Sequence, residues 1–203
     1  MDDETKRQRE AVIFAAAYAL LAEHGYGGAS MLRVAKAAKA SNETLYRWYG
    51  DKDGLFTAMV RDNAAQTRAL LCEAVETKGE AWAALEAVAP IFLGMILGDR
   101  AILLNRAAAA DASGALGAAI ATGGRCEVMP LLVQLMARVC AGSGNVAEQA
   151  AEWFLGLLLG DLQIRRVIGQ QNCLASKEID ARCATALTAL RRLLDASNGT
   201  GAG

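Results

Sequence analysis

The chain has 203 residues, of which 54% are hydrophobic and 21% charged, so it is long enough for one large domain or for a small module joined to a larger one. Frequent alanine, only two prolines and an aromatic content of 5% favour helices throughout. The formal net charge of −1 excludes a chain that is polycationic over its whole length, and five scattered cysteines without a C-x-x-C pair favour a reducing compartment over a disulfide framework.

Three helices are predicted near the N-terminus, because apolar residues repeat there at helical spacing. Gly25 fits the left-handed position that ends the first helix, and Ser30 and Ser41 fit the N-cap positions of the next two. The predicted helices span residues 5–24, 31–38 and 42–49.

Longer helices are predicted in the rest of the chain, where the same spacing continues. Gly98 and the segments DASG (111–114), AGSG (141–144) and GQQN (169–172) mark the breaks, and Pro130 is expected to kink the helix that contains it. The predicted helices span residues 52–77, 80–97, 100–111, 115–140, 145–169 and 177–195.

Short helices followed by long amphipathic ones predict an all-α fold. The expected architecture is a three-helix helix-turn-helix head joined to an antiparallel helical-bundle body. The head is placed at residues 1–52 and the body at 53–203, of which 197–203 form a flexible tail.

The stretch from Ser41 to Tyr49 is the second helix of the predicted helix-turn-helix, the element that lies in the major groove of DNA in such heads. Residues four apart on it share a face. These pairs are Leu45 with Tyr49 on the inner side, Asn42 with Tyr46, and Thr44 with Trp48. The aromatic rings outside the inner pair are therefore available for phosphates, sugars and thymine methyl groups.

Basic residues are concentrated in the same region. Eight lysines and arginines stand against four acidic residues between Lys6 and Lys52. Lys52 opens the next helix, where its charge and the backbone N–H groups can meet one phosphate. A basic N-terminal quarter followed by a mildly acidic remainder indicates that the two parts of the chain have different functions.

The segment from Gly25 to Phe56 resembles the DNA-binding head of TetR-type transcriptional repressors. The matching elements are Gly25-Tyr26, Ser30, Ala35, Ala40-Ser41, Leu45-Tyr46, Tyr49 and Lys52-Asp53-Gly54-Leu55. The chain departs from the family pattern at Lys39, where a glycine is usual and a left-handed conformation is therefore expected, and at Trp48-Tyr49. The segment from Ala150 to Gly169 resembles a subgroup of the family's ligand-binding bodies more loosely.

The resemblance implies a homodimer that binds a palindromic operator and releases it when a small molecule enters the body. It implies base-approaching positions at Asn42, Glu43, Thr44 and Trp48, phosphate-contacting positions at Ser30, Tyr46 and Lys52, and a DNA-facing helix start at Ser41. Asn42 can bond adenine through two hydrogen bonds. Glu43 either accepts from cytosine or only favours the helix N-terminus, and the basic residues between Lys6 and Arg9 either contact DNA or form a solvated helix start.

The resemblance further implies that the last two long helices pair with their copies across a two-fold axis. The expected dimer residues are Trp153, Phe154, Leu157, Gly160, Leu187, Leu190 and Leu194, for which internal packing is the alternative. The expected ligand-binding residues are Trp82, Phe92, Met95, Asn105, Met129, Gln134 and Gln163, for which a place in the core is the alternative. The expected effector is small, mostly apolar and uncharged.

An enzyme is not expected, because the chain has one histidine and no metal-spaced cluster, phosphate-binding glycine loop or nucleophile motif. No cofactor or metal is predicted. The chain lacks a recognisable signal peptide, and its longest run without a charge has 13 residues, which predicts a cytoplasmic protein. The alternative function is an all-α ligand-binding or interaction protein with a vestigial DNA-binding head, and repression or activation both remain open.

Overall fold

The structure is a computed structural model that describes residues 3–77, 79–141 and 146–199. Within these ranges every regular element is helical, so the predicted all-α fold is confirmed. The helices are α1 (Asp3–Gly28), α2 (Met31–Ala37), α3 (Asn42–Tyr49), α4 (Lys52–Glu76), α5 (Ala81–Leu97), α6 (Asp99–Ala109), α7 (Ala115–Ile120), α8 (Cys126–Val139), α9 (Ala147–Leu159), α10 (Leu162–Val167) and α11 (Ser176–Gly199).

Two predicted helices are irregular in the structure. The helix expected at 145–169 is broken at Gly160, whose φ of 48° ends α9 before α10 begins, so the prediction of one helix was wrong. The helix expected at 115–140 contains a π-helical turn at Ala121–Arg125, between α7 and α8. Pro130 lies inside α8, and a kink there stays a prediction. The predicted break at 141–144 lies partly outside the described residues. The tail predicted at 197–203 begins too early, because α11 continues to Gly199, and residues 200–203 lie outside the described residues.

Gly25 interrupts α1 near the predicted position. Its φ of 63° and ψ of −177° form a conformation that is essentially limited to glycine, and one further helical turn follows it before Gly28. The left-handed C-cap expected at Gly25 was therefore wrong in its ψ, and α1 is interrupted there rather than ended.

The chain forms two compact units. Unit 1 comprises Met1–Asn63 and Asp99–Gly124, and unit 2 comprises Ala64–Gly98 and Arg125–Gly203. Helix α4 therefore contributes its first half to unit 1 and its second half to unit 2. The compact units do not divide at the boundary predicted between residues 52 and 53, which stays a prediction about function.

Each unit has its own apolar core. In unit 1, Leu45 of α3 is fully buried beside Ile13 of α1 and Leu55 and Phe56 of α4. In unit 2, Phe154 of α9 belongs to a cluster contributed by α4, α5, α8, α9 and α11. Burial of the helix faces stabilises both cores, since each fully buried Leu or Phe side chain contributes roughly 1.5–3 kcal/mol relative to its exposed state.

The π-helical turn packs closely against α4 within unit 1. A Cβ atom on Gly123 would lie 2.6 Å from the backbone oxygen of Thr57 and 3.1 Å from Cβ of Val60. Such distances are too short for a side chain to occupy without movement of backbone. Glycine is therefore required where this turn crosses α4.

The continuous segment Ala115–Val139 is long and apolar enough to span a membrane by length and composition alone. Its first half contributes Leu116 and Ala119 to the core of unit 1, and its second half contributes Val128 and Leu132 to the core of unit 2. Of its most apolar 18-residue window 28% is buried, so burial in the two cores accounts for only part of its apolar character.

Thr67 provides a stability test in unit 2. Its side chain is fully buried on α4, on the same face as Ala64 and Leu71, and its hydroxyl has no hydrogen-bond partner among the described residues. Thr67→Val is expected to raise the free energy of unfolding by about 1 kcal/mol, because an unsatisfied buried hydroxyl destabilises the folded state. Urea unfolding followed by circular dichroism measures the change.

The matched control is Thr77→Val, at an exposed threonine that follows the end of α4. That variant is expected to change the free energy of unfolding by less than about 0.5 kcal/mol. Destabilisation by Thr67→Val would contradict the expectation that the buried hydroxyl lacks a hydrogen-bond partner.

Candidate DNA-binding surface

Two serine side chains begin the helices of the helix-turn-helix. The Ser30 hydroxyl oxygen accepts a hydrogen bond from the backbone N–H of Arg33 at 3.3 Å, and that of Ser41 accepts from the N–H of Thr44 at 3.0 Å. Both serines are exposed and act as N-caps, as the sequence predicted. They therefore define where α2 and α3 start.

The turn between α2 and α3 is closed by a left-handed residue. Lys39 has a φ of 49°, and among the residues that the structure describes it is the one non-glycine residue with a positive φ. The backbone N–H of Ala40 donates to the oxygen of Ala35 at 2.9 Å, and that of Lys39 donates to the oxygen of Lys36 at 3.2 Å. These two bonds form a Schellman motif, in which the left-handed position is usually glycine. The expected left-handed conformation of Lys39 is confirmed.

Helix α3 has one buried side and one exposed side. Leu45 is fully buried and Tyr49 is half-buried beside it, where its ring centroid lies 6.0 Å from that of Phe14. Asn42 and Tyr46 are exposed beside this buried side, and Tyr46 is 49% exposed. The other exposed side chains of α3 are Glu43 and Arg47. This contiguous polar face presents hydrogen-bonding groups and one charge of each sign to solvent.

Thr44 and Trp48 lie on the flank of α3 and not at the centre of the exposed face. Both are half-buried, and with Arg47 they line a groove of about 490 Å³ whose other wall is formed by α1. The Lys6 ammonium lies 5.9 Å from the Trp48 ring centroid. The α1 residues of this groove are Thr5, Gln8, Arg9 and Val12. Base contacts by Thr44 and Trp48 stay predictions.

Lys52 joins the start of α4 to the end of α1. Its ammonium donates to the backbone oxygen of Tyr26 and lies 3.7 Å from the centroid of the Tyr26 ring. Burial lowers the pKa of Lys52, while the carboxylates of Asp111 and Asp53 act in the opposite direction. A phosphate contact by Lys52 stays a prediction, and the residue already has a structural role.

A buried tyrosine completes this junction. The Tyr26 hydroxyl donates to the Asp53 carboxylate, and its ring meets that of Phe56 edge to face at 5.0 Å. Burial and the hydrogen bond to Asp53 both raise the pKa of Tyr26, so the phenol stays neutral. The Gly25-Tyr26 and Lys52-Asp53 elements of the sequence motif therefore contact each other and fix the first turn of α4.

The predicted ligand-binding residues do not all lie in one compact unit. Asn105 lies on α6 in unit 1, where its side chain donates to the backbone oxygen of Ala101 at 2.9 Å. In unit 2, Phe92 is buried and Gln134 is exposed. The remaining residues, Trp82, Met95, Met129 and Gln163, are half-buried in unit 2. No described contact tests a ligand-binding role, which stays a prediction.

The predicted dimer residues lie on α9 and α11, but their exposure differs. Phe154 and Leu190 are fully covered by the chain's own core, so their side chains are not available to a partner in this conformation. Leu187 and Leu194 are also buried, whereas Trp153 and Leu157 are half-buried and Gly160 is exposed. Leu157 lines a shallow groove of about 640 Å³ with Leu193, which is 40% exposed and which the sequence did not single out.

Sequence reasoning missed two contacts of unit 1 and one exposed residue of unit 2. Arg9 donates to the backbone oxygen of Lys39, Tyr26 bonds Asp53, and Leu193 is exposed on α11. The first two join residues 30 and 27 positions apart, and no local pattern signals such pairs. The departure from glycine at Lys39 was the one signal that a compensating contact was needed.

The head of the chain matches known regulators in sequence. Residues 13–59 match the family model of bacterial regulatory proteins of the tetR family. The transcriptional repressor AcnR of Corynebacterium glutamicum is 35% identical over 72 residues, which are 36% of this chain and 37% of that protein. The match thus spans little more than a third of that relative.

Solved structures are similar over nearly the whole chain. A TetR transcriptional regulator from Agrobacterium tumefaciens is 28% identical, with a TM-score of 0.73 over 91% of this chain and 93% of that one. The regulator FadR from Bacillus subtilis, in complex with stearoyl-CoA, is 17% identical, with a TM-score of 0.67 over 89% and 96% of the two chains. The second likeness concerns the fold alone.

Proposed function

As this chain is a TetR-type transcriptional regulator, we propose that it binds palindromic operator DNA as a cytoplasmic homodimer and represses transcription until a small, mostly apolar ligand releases it. The family of regulators is not an enzyme class, and no catalytic role is proposed.

The exposed face of α3 is the observation that supports operator binding best. Asn42, Glu43 and Tyr46 project from a short helix that Leu45 anchors in the core of unit 1. Asparagine can form two hydrogen bonds to adenine, glutamate can accept from cytosine, and a tyrosine hydroxyl can bond a phosphate. Such a face has the residue types that read a base sequence in the major groove.

The homodimer is supported by the shallow groove that α9 and α11 share in unit 2. Leu157 and Leu193 leave apolar surface uncovered there, and a Cβ atom on Gly156 would meet no other atom within 4 Å. A second copy placed on this face by a two-fold axis would bury the leucines of both chains. Two-fold symmetry of the protein then corresponds to the palindrome of the operator.

The apolar effector is supported by the composition of unit 2. Phe92 is buried in the unit's core, and Met95 and Met129 pack against that core. In FadR of Bacillus subtilis, a protein of the same fold is in complex with stearoyl-CoA, in which a long apolar chain is joined to the charged coenzyme A group. A long apolar chain is thus compatible with the fold, and the proposal for this chain is an effector without such a charged group.

The alternative is an all-α ligand-binding or interaction protein whose head no longer binds DNA. Binding to DNA decides between the two functions, because the body is the same in both. Whether the protein represses or activates transcription depends on where the operator lies relative to the promoter. Repression is therefore tested by measuring transcription of the regulated gene with and without the protein.

Operator binding is tested by fluorescence anisotropy of the purified protein on the DNA upstream of its own gene, with scrambled DNA of the same length as the control. We expect the protein to bind the upstream DNA more tightly than the scrambled DNA. The logarithm of its association constant should fall linearly with the logarithm of the salt concentration, with a slope of roughly −4 to −8, because each neutralised phosphate contributes about −0.9. The same assay then screens apolar effectors by release of the DNA.

If the protein binds both DNAs equally weakly, its binding sites are next selected from a random DNA library. Failure to enrich any sequence would contradict operator binding and favour the alternative function. Release of a selected site only by highly charged ligands would contradict the apolar effector.

A further inference from the structure

The turn of the helix-turn-helix holds a residue that does not favour its conformation. Lys39 has a φ of 49°, a left-handed conformation in which a Cβ atom is unfavourable. The position carries the Schellman bonds from Ala40 and Lys39 to the end of α2, so the conformation is required for the turn to close. A contact from outside the turn that favours this conformation would offset its penalty, which is roughly 1–2 kcal/mol.

Arg9 supplies such a contact. Its Nη2 atom donates to the backbone oxygen of Lys39 from α1, 30 residues earlier in the chain. The Arg9 side chain is half-buried and also lines the groove between α1 and α3, opposite Thr44 and Trp48. One side chain thus contacts the left-handed residue directly and borders the helix that follows it.

We propose that Arg9 is a positioning residue for DNA recognition: by holding the carbonyl group of Lys39, it keeps the turn in the left-handed conformation and α3 at the angle at which the operator meets it. This inference rests on the proposed operator binding. It assigns Arg9 no base contact of its own, and it explains how the chain tolerates lysine where the turn favours glycine.

The expected consequence is a change in the population of the binding-competent turn. When only a fraction of the molecules has α3 in place, the observed affinity falls by that fraction. Glycine adopts the left-handed conformation without the penalty that lysine has, so the turn should need Arg9 less when residue 39 is replaced by glycine. Arg9 and Lys39 should therefore be coupled in their effects on DNA binding.

The test uses the full chain with Arg9→Met, Lys39→Gly and the double variant, assayed on the selected operator and on scrambled DNA. We expect R9M to weaken operator binding about tenfold, from a roughly threefold loss at each of two half-sites, and to weaken it less than about threefold in the K39G background. The control is Arg7→Met, which removes an equal charge from an exposed position of α1 and should have the same small effect in both backgrounds.

Amide hydrogen exchange measures how often the turn opens in the absence of DNA. The Ala40 amide, which donates to Ala35 at 2.9 Å, should exchange faster in R9M than in the unmodified chain, and this acceleration should be largely absent in the K39G background. If the unmodified chain binds no DNA, the proposed operator binding fails while the exchange measurement still tests the contact between Arg9 and the turn.

Two results would overturn the proposal. Equal loss of affinity in both backgrounds, with a salt slope reduced by about one unit per phosphate contact, would show that Arg9 is a phosphate ligand and not a positioning residue. Unchanged exchange of the Ala40 amide in R9M would show that the turn closes without Arg9.

Discussion

Asn42→Ala is expected to weaken binding to the selected operator at least about 30-fold, while binding to scrambled DNA changes little. Asn42 is exposed at the first position of α3, the end of the helix that faces base edges in helix-turn-helix heads. A two-bond contact to adenine contributes roughly 1–3 kcal/mol, and a homodimer makes it at two half-sites. A tenfold change in affinity corresponds to about 1.4 kcal/mol.

Fluorescence anisotropy at a fixed salt concentration measures both affinities. Asn172→Ala is the matched control, because Asn172 is an exposed asparagine in the segment between α10 and α11. Tyr46→Phe serves as a comparison: loss of a phosphate contact should weaken both DNAs alike, because such contacts carry no sequence information. Equal loss on both DNAs from N42A would show that Asn42 does not read bases.

Leu157→Glu combined with Leu193→Glu is expected to convert the homodimer into a monomer, with a dissociation constant raised at least about 1,000-fold. Both leucines line the groove of α9 and α11. In a two-fold dimer each substitution appears twice, so four like charges would be buried, and the two copies of Arg192 that line the same groove leave at least two of them without a partner. Burying an uncompensated charge destabilises by roughly 3–5 kcal/mol, which corresponds to two to four powers of ten.

Sedimentation velocity over a range of protein concentrations measures the dissociation constant, and circular dichroism checks that the helices remain folded. Leu32→Glu is the control, because Leu32 is 67% exposed on α2 in unit 1 and the charge stays in solvent. A dimer that persists in the double variant would place the interface elsewhere, and an unmodified chain that is monomeric at all concentrations would contradict the homodimer itself.

The sequence alone determined the helical class, most helix boundaries and the conformation of the turn. Ser30 and Ser41 begin α2 and α3 because a side-chain oxygen caps an N–H three residues later. Lys39 had to be left-handed because the chain must close a turn between two short helices there. These features depend on neighbours within a few residues, which is the range that local patterns describe.

Tertiary structure decided which partner covers each apolar or charged side chain. Periodicity marked α9 and α11 as apolar, but packing placed Phe154 and Leu190 inside the chain's own core and left Leu193 exposed. Packing also placed Asn105 in a different compact unit from the other predicted ligand residues and brought Arg9 to the turn at Lys39. A repeat of apolar residues specifies that a helix face is buried but not what buries it, because that depends on how helices distant in the sequence pack together.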